Sequence, residues 1–422
     1  MNDVIDELTW RGLLANSTDE AALREHLAAG PVTFYVGFDP TAPSIHFGNL
    51  VQLMVARHLQ RAGHRPLLLV GGSTGMIGDP KDSGERTLNS PETVTAWVGN
   101  IRRQVEKYVD FTGDHAAQIV NNLDWTGPMS VLDFLRDVGK HFPVNRMLAR
   151  DVVRSRLEDG ISYTEFSYVL LQSMDYLELY RAYGCTLQFG GSDQWGNITA
   201  GVELIRRSEG ARVHALATPL LTKADGTKFG KTEGGTIWLD PQLTSPYAFH
   251  QFFLNAEDDR VIDYLKVFSP RSREEIDELQ RQTTVEPHRR AAQKALADDV
   301  TALVHSEADR DGAVSAAAAI FGRSELDQLD ETVLAGVVSE LGGVDVNQGE
   351  GLPSVVDVLE RSGVVTSKGA ARRAISEGGA YLNNRKVSNP DAMLTDQDLL
   401  HGRFVIVRRG KKTVGALTIV RR

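Results

Sequence analysis

One cysteine in 422 residues, Cys185, excludes an intrachain disulfide and any zinc site built from several cysteines. Long apolar runs are missing as well, and none approaches the ~18 residues of a membrane span. The segment Met1-Asn2-Asp3-Val4-Ile5-Asp6-Glu7 has neither the basic nor the apolar region of a secretory signal. There is no internal repeat and no low-complexity tract. Together these absences point to a reducing, cytoplasmic setting.

What the sequence has is a globular balance, 41% apolar and 24% charged, over a length that exceeds one ordinary core. Two or three domains are expected. The net charge of −10 is spread unevenly. Arg361 to Arg422 holds 13 Lys or Arg against 4 Asp or Glu, while the other residues hold 33 against 52. An acidic body with a compact basic segment suits a polyanion partner, with a solubilising basic surface as the alternative.

Over the first 240 residues short apolar runs alternate with helical patterns. Val32 to Phe38 reads as a buried strand, followed by a helix from near His46 to Ala62. Pro66 to Val70 reads as a second strand and ends in the glycine-rich segment Gly71 to Asp79. Thr186 to Phe189 leads into Gly190-Gly191-Ser192-Asp193, with a helix starting near Gln194 to Asn197. Strand, loop and helix at this spacing imply an α/β fold with a doubly wound parallel sheet, whose ligands gather beyond the carboxyl ends of the strands. Residues 1–244 are expected to form this domain and 245–341 an alanine-rich α-helical one. Residues 342–352 are expected to link to a small α+β module at 353–422, with two short helices and strands near Ala380, Phe404 and Val414.

Two segments carry phosphate chemistry. Asp39-Pro40-Thr41-Ala42-Pro43-Ser44-Ile45-His46-Phe47-Gly48-Asn49 brings a Thr, a His and free backbone N–H groups to a helix start, which suits phosphate. At Gly48 a flat ring such as adenine could press against bare backbone. An ordinary capped turn would use similar residues. Lys228-Phe229-Gly230-Lys231-Thr232 places two lysines in a glycine-rich loop able to fold over a polyphosphate and steady a departing pyrophosphate. A solvated surface loop is the alternative there.

A third constellation lies on a helix opened by Ser162-Tyr163-Thr164-Glu165, a capping-box pattern. Tyr168, Gln172 and Asp175 recur on one of its faces, among Val169, Leu171 and Met174. Polar groups on such a face need buried partners, which a substrate amine and phenol would supply. A core tyrosine with two incidental polar neighbours is the alternative.

In this order and spacing the two phosphate segments resemble the nucleotide-binding signatures of class I aminoacyl-tRNA synthetases. The His-x-Gly-His motif of that family stands here as His46-Phe47-Gly48-Asn49, and its Lys-Met-Ser-Lys-Ser loop as Lys228-Phe229-Gly230-Lys231-Thr232. Both departures are ones that tyrosyl members of the family show. Trp10-Arg11-Gly12, Leu135 to Phe142 and the basic segment look like the bacterial tyrosyl branch, and 353–422 looks like an S4-type RNA-binding module.

The resemblance implies a Rossmann-like catalytic domain, an anticodon-arm-binding helical domain and activation of L-tyrosine by ATP before transfer to tRNA(Tyr). Asp79, Tyr168 and Gln172 would hold the α-amino group, Asp175 and Tyr35 the phenolic hydroxyl, and Gln194 the carboxylate side. Thr41 and His46 would steady the γ-phosphate, with Lys228 and Lys231 on the leaving pyrophosphate and Thr232 also in the ATP site. Asp39, Gly48, Asn49 and Asp193 would complete the ATP site. Val36 cannot make the ribose hydrogen bond that some members make at that position. Lys368, Arg372 and Arg373 could line one helix face and meet RNA phosphates.

Magnesium would arrive with ATP, without a protein-bound metal or prosthetic group. A homodimer in contact around Leu132 to Leu148 is also implied. A tryptophanyl enzyme shares the signatures, but Tyr35 with Asp175 suits a phenol. A non-catalytic RNA-binding relative would have no need of His46, Lys228 and Lys231. A small-molecule nucleotidyltransferase would not explain the helical and basic segments. The Gly71 to Gly78 loop lacks the Gly-Lys-Ser/Thr ending of an ordinary NTPase.

Overall fold

A computed structural model describes residues 3–80, 89–227, 229–232, 235–322, 324–347, 351–410 and 413–420. The chain forms two compact units, Met1–Asp240 with Glu257–Gln280, and Pro241–Ala256 with Arg281–Arg422.

The first unit is built on a six-stranded sheet of β1 (Asn16–Ser17), β2 (Thr33–Phe38), β3 (Arg65–Val70), β4 (Gln118–Asn121), β5 (Cys185–Gly191) and β6 (His214–Thr218). The spatial order is β1-β6-β5-β2-β3-β4, parallel throughout except for the short antiparallel β1. Chain order reverses beside β2, since β3 and β4 lie on one side of it and β5 and β6 on the other. That reversal opens a crevice at the carboxyl ends of β2 and β5.

Both faces of the sheet are covered, which is why its strands are apolar runs rather than alternating ones. Tyr35, Leu67 and Leu69 share a core with Val169, Leu170 and Met174 of the helix Tyr163–Tyr183. The intervening Phe34, Val36 and Leu68 are equally buried and point to the opposite face, on the side of the helix Phe47–Arg61. The helix Tyr163–Tyr183 starts where expected, with the Ser162 hydroxyl accepting the Glu165 N–H at 3.3 Å. Two further short strands, β7 (Lys231–Thr232) and β8 (Gly235–Thr236), pair as a hairpin.

The second unit combines the helices Pro246–Leu254, Ala291–Val304, Glu307–Ile320 and Glu331–Glu340 with a five-stranded sheet. Its strands are β9 (Val344–Asn347), β10 (Ala380–Leu382), β11 (Arg385–Lys386), β12 (Phe404–Arg409) and β13 (Thr413–Val420), in the order β11-β10-β12-β13-β9. Two faces of one strand explain the run Phe404-Val405-Ile406-Val407. Phe404 and Ile406 join a core with Tyr247, Ile320, Leu334 and Val337, whereas Val405 and Val407 join one with Val355, Leu359 and Ile375.

Three details differ from the sequence expectation. The segment 257–280 returns to the first unit instead of staying with its helical neighbours. The helices expected over 245–341 share a core with the sheet of the module expected over 353–422. Within the expected linker, Val344–Asn347 forms β9 and pairs in parallel with β13. Its buried Val346, 6% exposed, adds an apolar side chain that glycine-rich neighbours hide from a composition reading.

Candidate functional site

A cavity of about 510 Å³ opens at the carboxyl ends of β2 and β5 in the first unit. Among the residues around it are Tyr35, Asp39, Thr41, His46, Gly48, Asn49, Asp79, Tyr168, Gln172, Asp175, Asp193 and Gln194. Every tyrosine-side residue expected from the sequence therefore faces one space. Lys228 lies outside the described residues, as do the side chains of Lys231 and Thr232.

The deep end of the cavity is a laced polar network. Asp175, 2% exposed, accepts from the Trp125 indole N–H at 2.9 Å and from Asn122 Nδ2 at 3.0 Å. Asn122 also donates to the Thr74 hydroxyl at 3.0 Å and accepts the Ser73 N–H at 2.8 Å. Thr74 and Tyr168 in turn donate to the two oxygens of Asp39, each at 2.6 Å. Asp39 comes so close to the end of β3 that only a glycine fits at 71, since a Cβ there would collide with its carboxylate.

Burial pushes the Asp175 carboxyl up from 3.8 to about 7, because desolvation outweighs its two neutral donors. A folded-state value above the unfolded one means that this group favours the fold most below its ordinary value. That contribution is lost as the pH climbs through about 7. Beside it, Tyr35 is 2% exposed and its hydroxyl has no hydrogen-bond partner among the described residues. Gln188, its register partner on β5, also lines the cavity and has a buried Oε1 likewise without a partner among them. Buried polar atoms without partners are rare, and a pair of them in one cavity marks where a polar ligand belongs.

Nearer the mouth, Asp79 accepts from Gln194 Nε2 at 2.8 Å and from Asn197 Nδ2 at 3.1 Å. Asn197 is itself bonded to Gln194 and to Arg150. The helix Phe47–Arg61 starts at the mouth, with Thr41, His46 and Gly48 exposed there. The Asn49 side chain accepts the His46 N–H at 3.1 Å, so it caps its own helix as well as facing the cavity.

The two phosphate segments come together in space. The Phe47 N–H donates to the Ile237 carbonyl at 3.2 Å and the Leu239 N–H to the Ile45 carbonyl at 3.1 Å. This short antiparallel bridge brings the backbone after the second segment against the last residues of the first.

Lys368, Arg372 and Arg373 stand on the helix Lys368–Ser376 of the second unit. Lys368 pairs with Asp357 at 2.7 Å and Arg372 with Asp391 at 2.8 Å, while Arg373 is exposed. These exposed pairs are weak enough to open toward a stronger anion.

Sequence reasoning did not single out Thr74, Asn122, Trp125, Gln188 or Asn197. Asn121-Asn122 closes the apolar run Ile119-Val120, so the rule that ligands gather at strand ends could have flagged it. The other contacts cross the sheet and leave no local pattern.

Comparison with known proteins identifies the family. Residues 27–322 match the family described as tRNA synthetases class I (W and Y). Residues 336–415 match the tyrosine–tRNA ligase SYY-like C-terminal domain. The tyrosine–tRNA ligase of Cutibacterium acnes is 65% identical over 418 residues, covering 99% of this chain and 100% of that protein. That of Streptomyces coelicolor is 59% identical over 422 residues, covering 99% of each. A C-terminally truncated mitochondrial tyrosyl-tRNA synthetase of Aspergillus nidulans superposes with a TM-score of 0.68 at 30% identity, covering 75% of this chain and 93% of its own.

Proposed function

The chain belongs to the class I tRNA synthetases of the tyrosine and tryptophan kind, and from that premise we propose which of its residues handle tyrosine, ATP and tRNA. It is a tyrosine–tRNA ligase: it activates L-tyrosine with ATP and transfers the tyrosyl group to the 3′ terminal ribose of tRNA(Tyr), releasing pyrophosphate and AMP.

The observation that carries the residue assignment is the unpartnered Tyr35 hydroxyl beside the buried Asp175 carboxyl. A phenol satisfies both, since its O–H donates to Asp175 and its oxygen accepts from Tyr35. Phenylalanine would leave the Tyr35 hydroxyl buried without a partner and give Asp175 nothing beyond Asn122 and Trp125, and tyrosine-specific synthetases are themselves the standard illustration that sites of this kind reject it strongly. Asp79, Tyr168 and Gln172 receive the ammonium group, with Gln194 toward the carboxylate.

ATP lies toward the mouth. Asn49 and Asp193 meet its ribose, Asp39 borders it, and Gly48 lets adenine approach the backbone. Thr41 and His46 steady the γ-phosphate, while Lys228 and Lys231 meet the leaving pyrophosphate, with Thr232 also in the ATP site. Magnesium accompanies ATP as part of the substrate complex. The tyrosine carboxylate oxygen attacks the α-phosphorus as the bond to the β-phosphate oxygen breaks. The terminal ribose hydroxyl then attacks the adenylate carbonyl and AMP leaves. No side chain becomes covalently bonded, so catalysis consists of positioning and charge stabilisation.

The helices between 245 and 341 receive the anticodon arm, and Lys368, Arg372 and Arg373 anchor RNA phosphates. The exposed apolar side chains Val131, Leu132, Leu135, Val144 and Leu148, between 40% and 78% exposed, form the contact of a homodimer. The cytoplasm is its place of action.

Three outcomes are expected. Asp79→Ala raises the KM for tyrosine in pyrophosphate exchange at least about tenfold and leaves that for ATP within about twofold, whereas equal rises contradict an ammonium contact. Arg372→Glu with Arg373→Glu lowers tRNA charging at physiological salt by about tenfold or more with exchange unchanged, and undiminished charging removes the anchor. Leu132→Glu shifts the sedimenting species from dimer to monomer, and an unaltered dimer places the contact elsewhere.

A further inference from the structure

The loop between β6 and β7, which carries Lys228 toward Lys231, is docked on the helix Val261–Phe268 by contacts that no charge pattern announces. The Phe229 ring stacks on Tyr264 with centroids 3.9 Å apart and meets Phe47 edge-on at 5.0 Å. The Tyr264 hydroxyl donates to the Thr222 carbonyl at 3.0 Å, and Glu257 accepts the Ala224 N–H at 2.7 Å. One tyrosine thus holds the loop by its ring and by its hydroxyl, and it is 1% exposed, so the ring has no room to swing.

The loop makes further contacts beside these. Gly230 has φ +89°, and a Cβ there would stand 3.1 Å from the Phe47 ring. Its carbonyl accepts the Ile237 N–H at 3.0 Å. The docking helix is itself fixed at its C-terminal end, where the Arg11 guanidinium donates to the carbonyls of Lys266 at 2.6 Å and Ser269 at 3.1 Å. These are among the carbonyl groups that a helix end leaves over. Arg11 is held in place by Glu7 at 2.8 Å.

We propose that Tyr264 is a positioning residue for adenylate formation, which sets through Phe229 where Lys228 and Lys231 present their charge to the departing pyrophosphate. It touches no substrate. The proposal rests on the assignment of those two lysines to pyrophosphate. Its physical basis is that fixed charges stabilise a transition state only when held at the place where charge develops. Phe229 stands next to one lysine and two residues from the other, so its ring is the nearest anchor for both.

The test uses the full chain and measures single-turnover adenylate formation together with equilibrium binding of tyrosine. Tyr264→Leu is expected to slow adenylate formation about tenfold or more with the tyrosine Kd within about twofold, and Tyr264→Phe, which keeps the stack, to stay within about threefold of the parent rate. Glu257→Ala, at an exposed position, is expected to slow the same step by a smaller factor. Combining Lys231→Ala with Tyr264→Leu is expected to slow the step by clearly less than the product of the two single factors, since part of what Tyr264 positions is already lost with Lys231.

Multiplicative slowing in the double variant overturns the proposal, as does tyrosine affinity falling in step with the rate. Should Tyr264→Leu fail to fold, Glu257→Ala at the parent rate overturns it instead. An impaired Lys231→Ala beside an unimpaired Tyr264→Leu overturns it alone. A Lys231→Ala rate equal to the parent overturns the lysine assignment and the proposal with it.

Discussion

A carboxyl group that water cannot reach is the constraint around which this active site is arranged. Asp175 is 2% exposed and makes its hydrogen bonds with neutral donors, Asn122 and Trp125. An isolated buried carboxylate would be costly, so the surroundings must supply either a proton or several well-placed donors. Asn122 is itself fixed by further bonds. Asn122 reaches Ser73 and Thr74, Thr74 reaches Asp39, and Tyr168 reaches Asp39 from the same helix that bears Asp175. One network thus ties the ends of β2, β3 and β4 to the helix Tyr163–Tyr183, and it does so at the floor of the cavity. Tyr35 completes the floor with a buried hydroxyl that has no hydrogen-bond partner among the described residues.

Much of this is legible in the sequence because it follows local periodicity. Tyr168, Gln172 and Asp175 share a helix face by spacing alone, and the capping Ser162 fixes where that helix starts. The apolar runs of β2, β3 and β5, with the polar loops behind them, are enough to place the crevice at the strand ends. What stays hidden depends on contacts distant in the chain. Trp125 and Asn122 lie about 50 residues from Asp175, and nothing local to either announces the meeting. The return of 257–280 to the first unit is hidden for a similar reason, since its helical pattern matches that of its neighbours. β9 escapes a composition reading because the glycines beside Val344–Asn347 look like a linker, whereas the strand is held by its pairing with β13.

The nucleotide side obeys a different logic. Thr41, His46 and Asp193 are exposed, and the segments around them are joined by backbone bridges and rings instead of buried charge. Asn49 caps the helix that begins at the cavity mouth, which accounts for an amide at this position in structural terms alone. The ring series of Phe47, Phe229 and Tyr264 then joins the two signature segments that sequence spacing could only place side by side. On the proposed assignment the amino acid takes the floor of the cavity and the phosphates its mouth.

The most direct measurement of the central claim is the proton exchange that accompanies tyrosine binding near pH 7, by calorimetry in buffers of different ionisation enthalpy. With its carboxyl at about 7 in the empty site, Asp175 is about half protonated there. A phenol donating to it favours the ionised form, so its value falls and binding releases up to about half a proton. The account predicts that release for tyrosine, its growth as the pH is lowered toward 6, and its absence in Asp175→Asn. Tyrosine binding with no release, or with proton uptake, would contradict the claim that Asp175 is the acceptor of the phenolic hydroxyl.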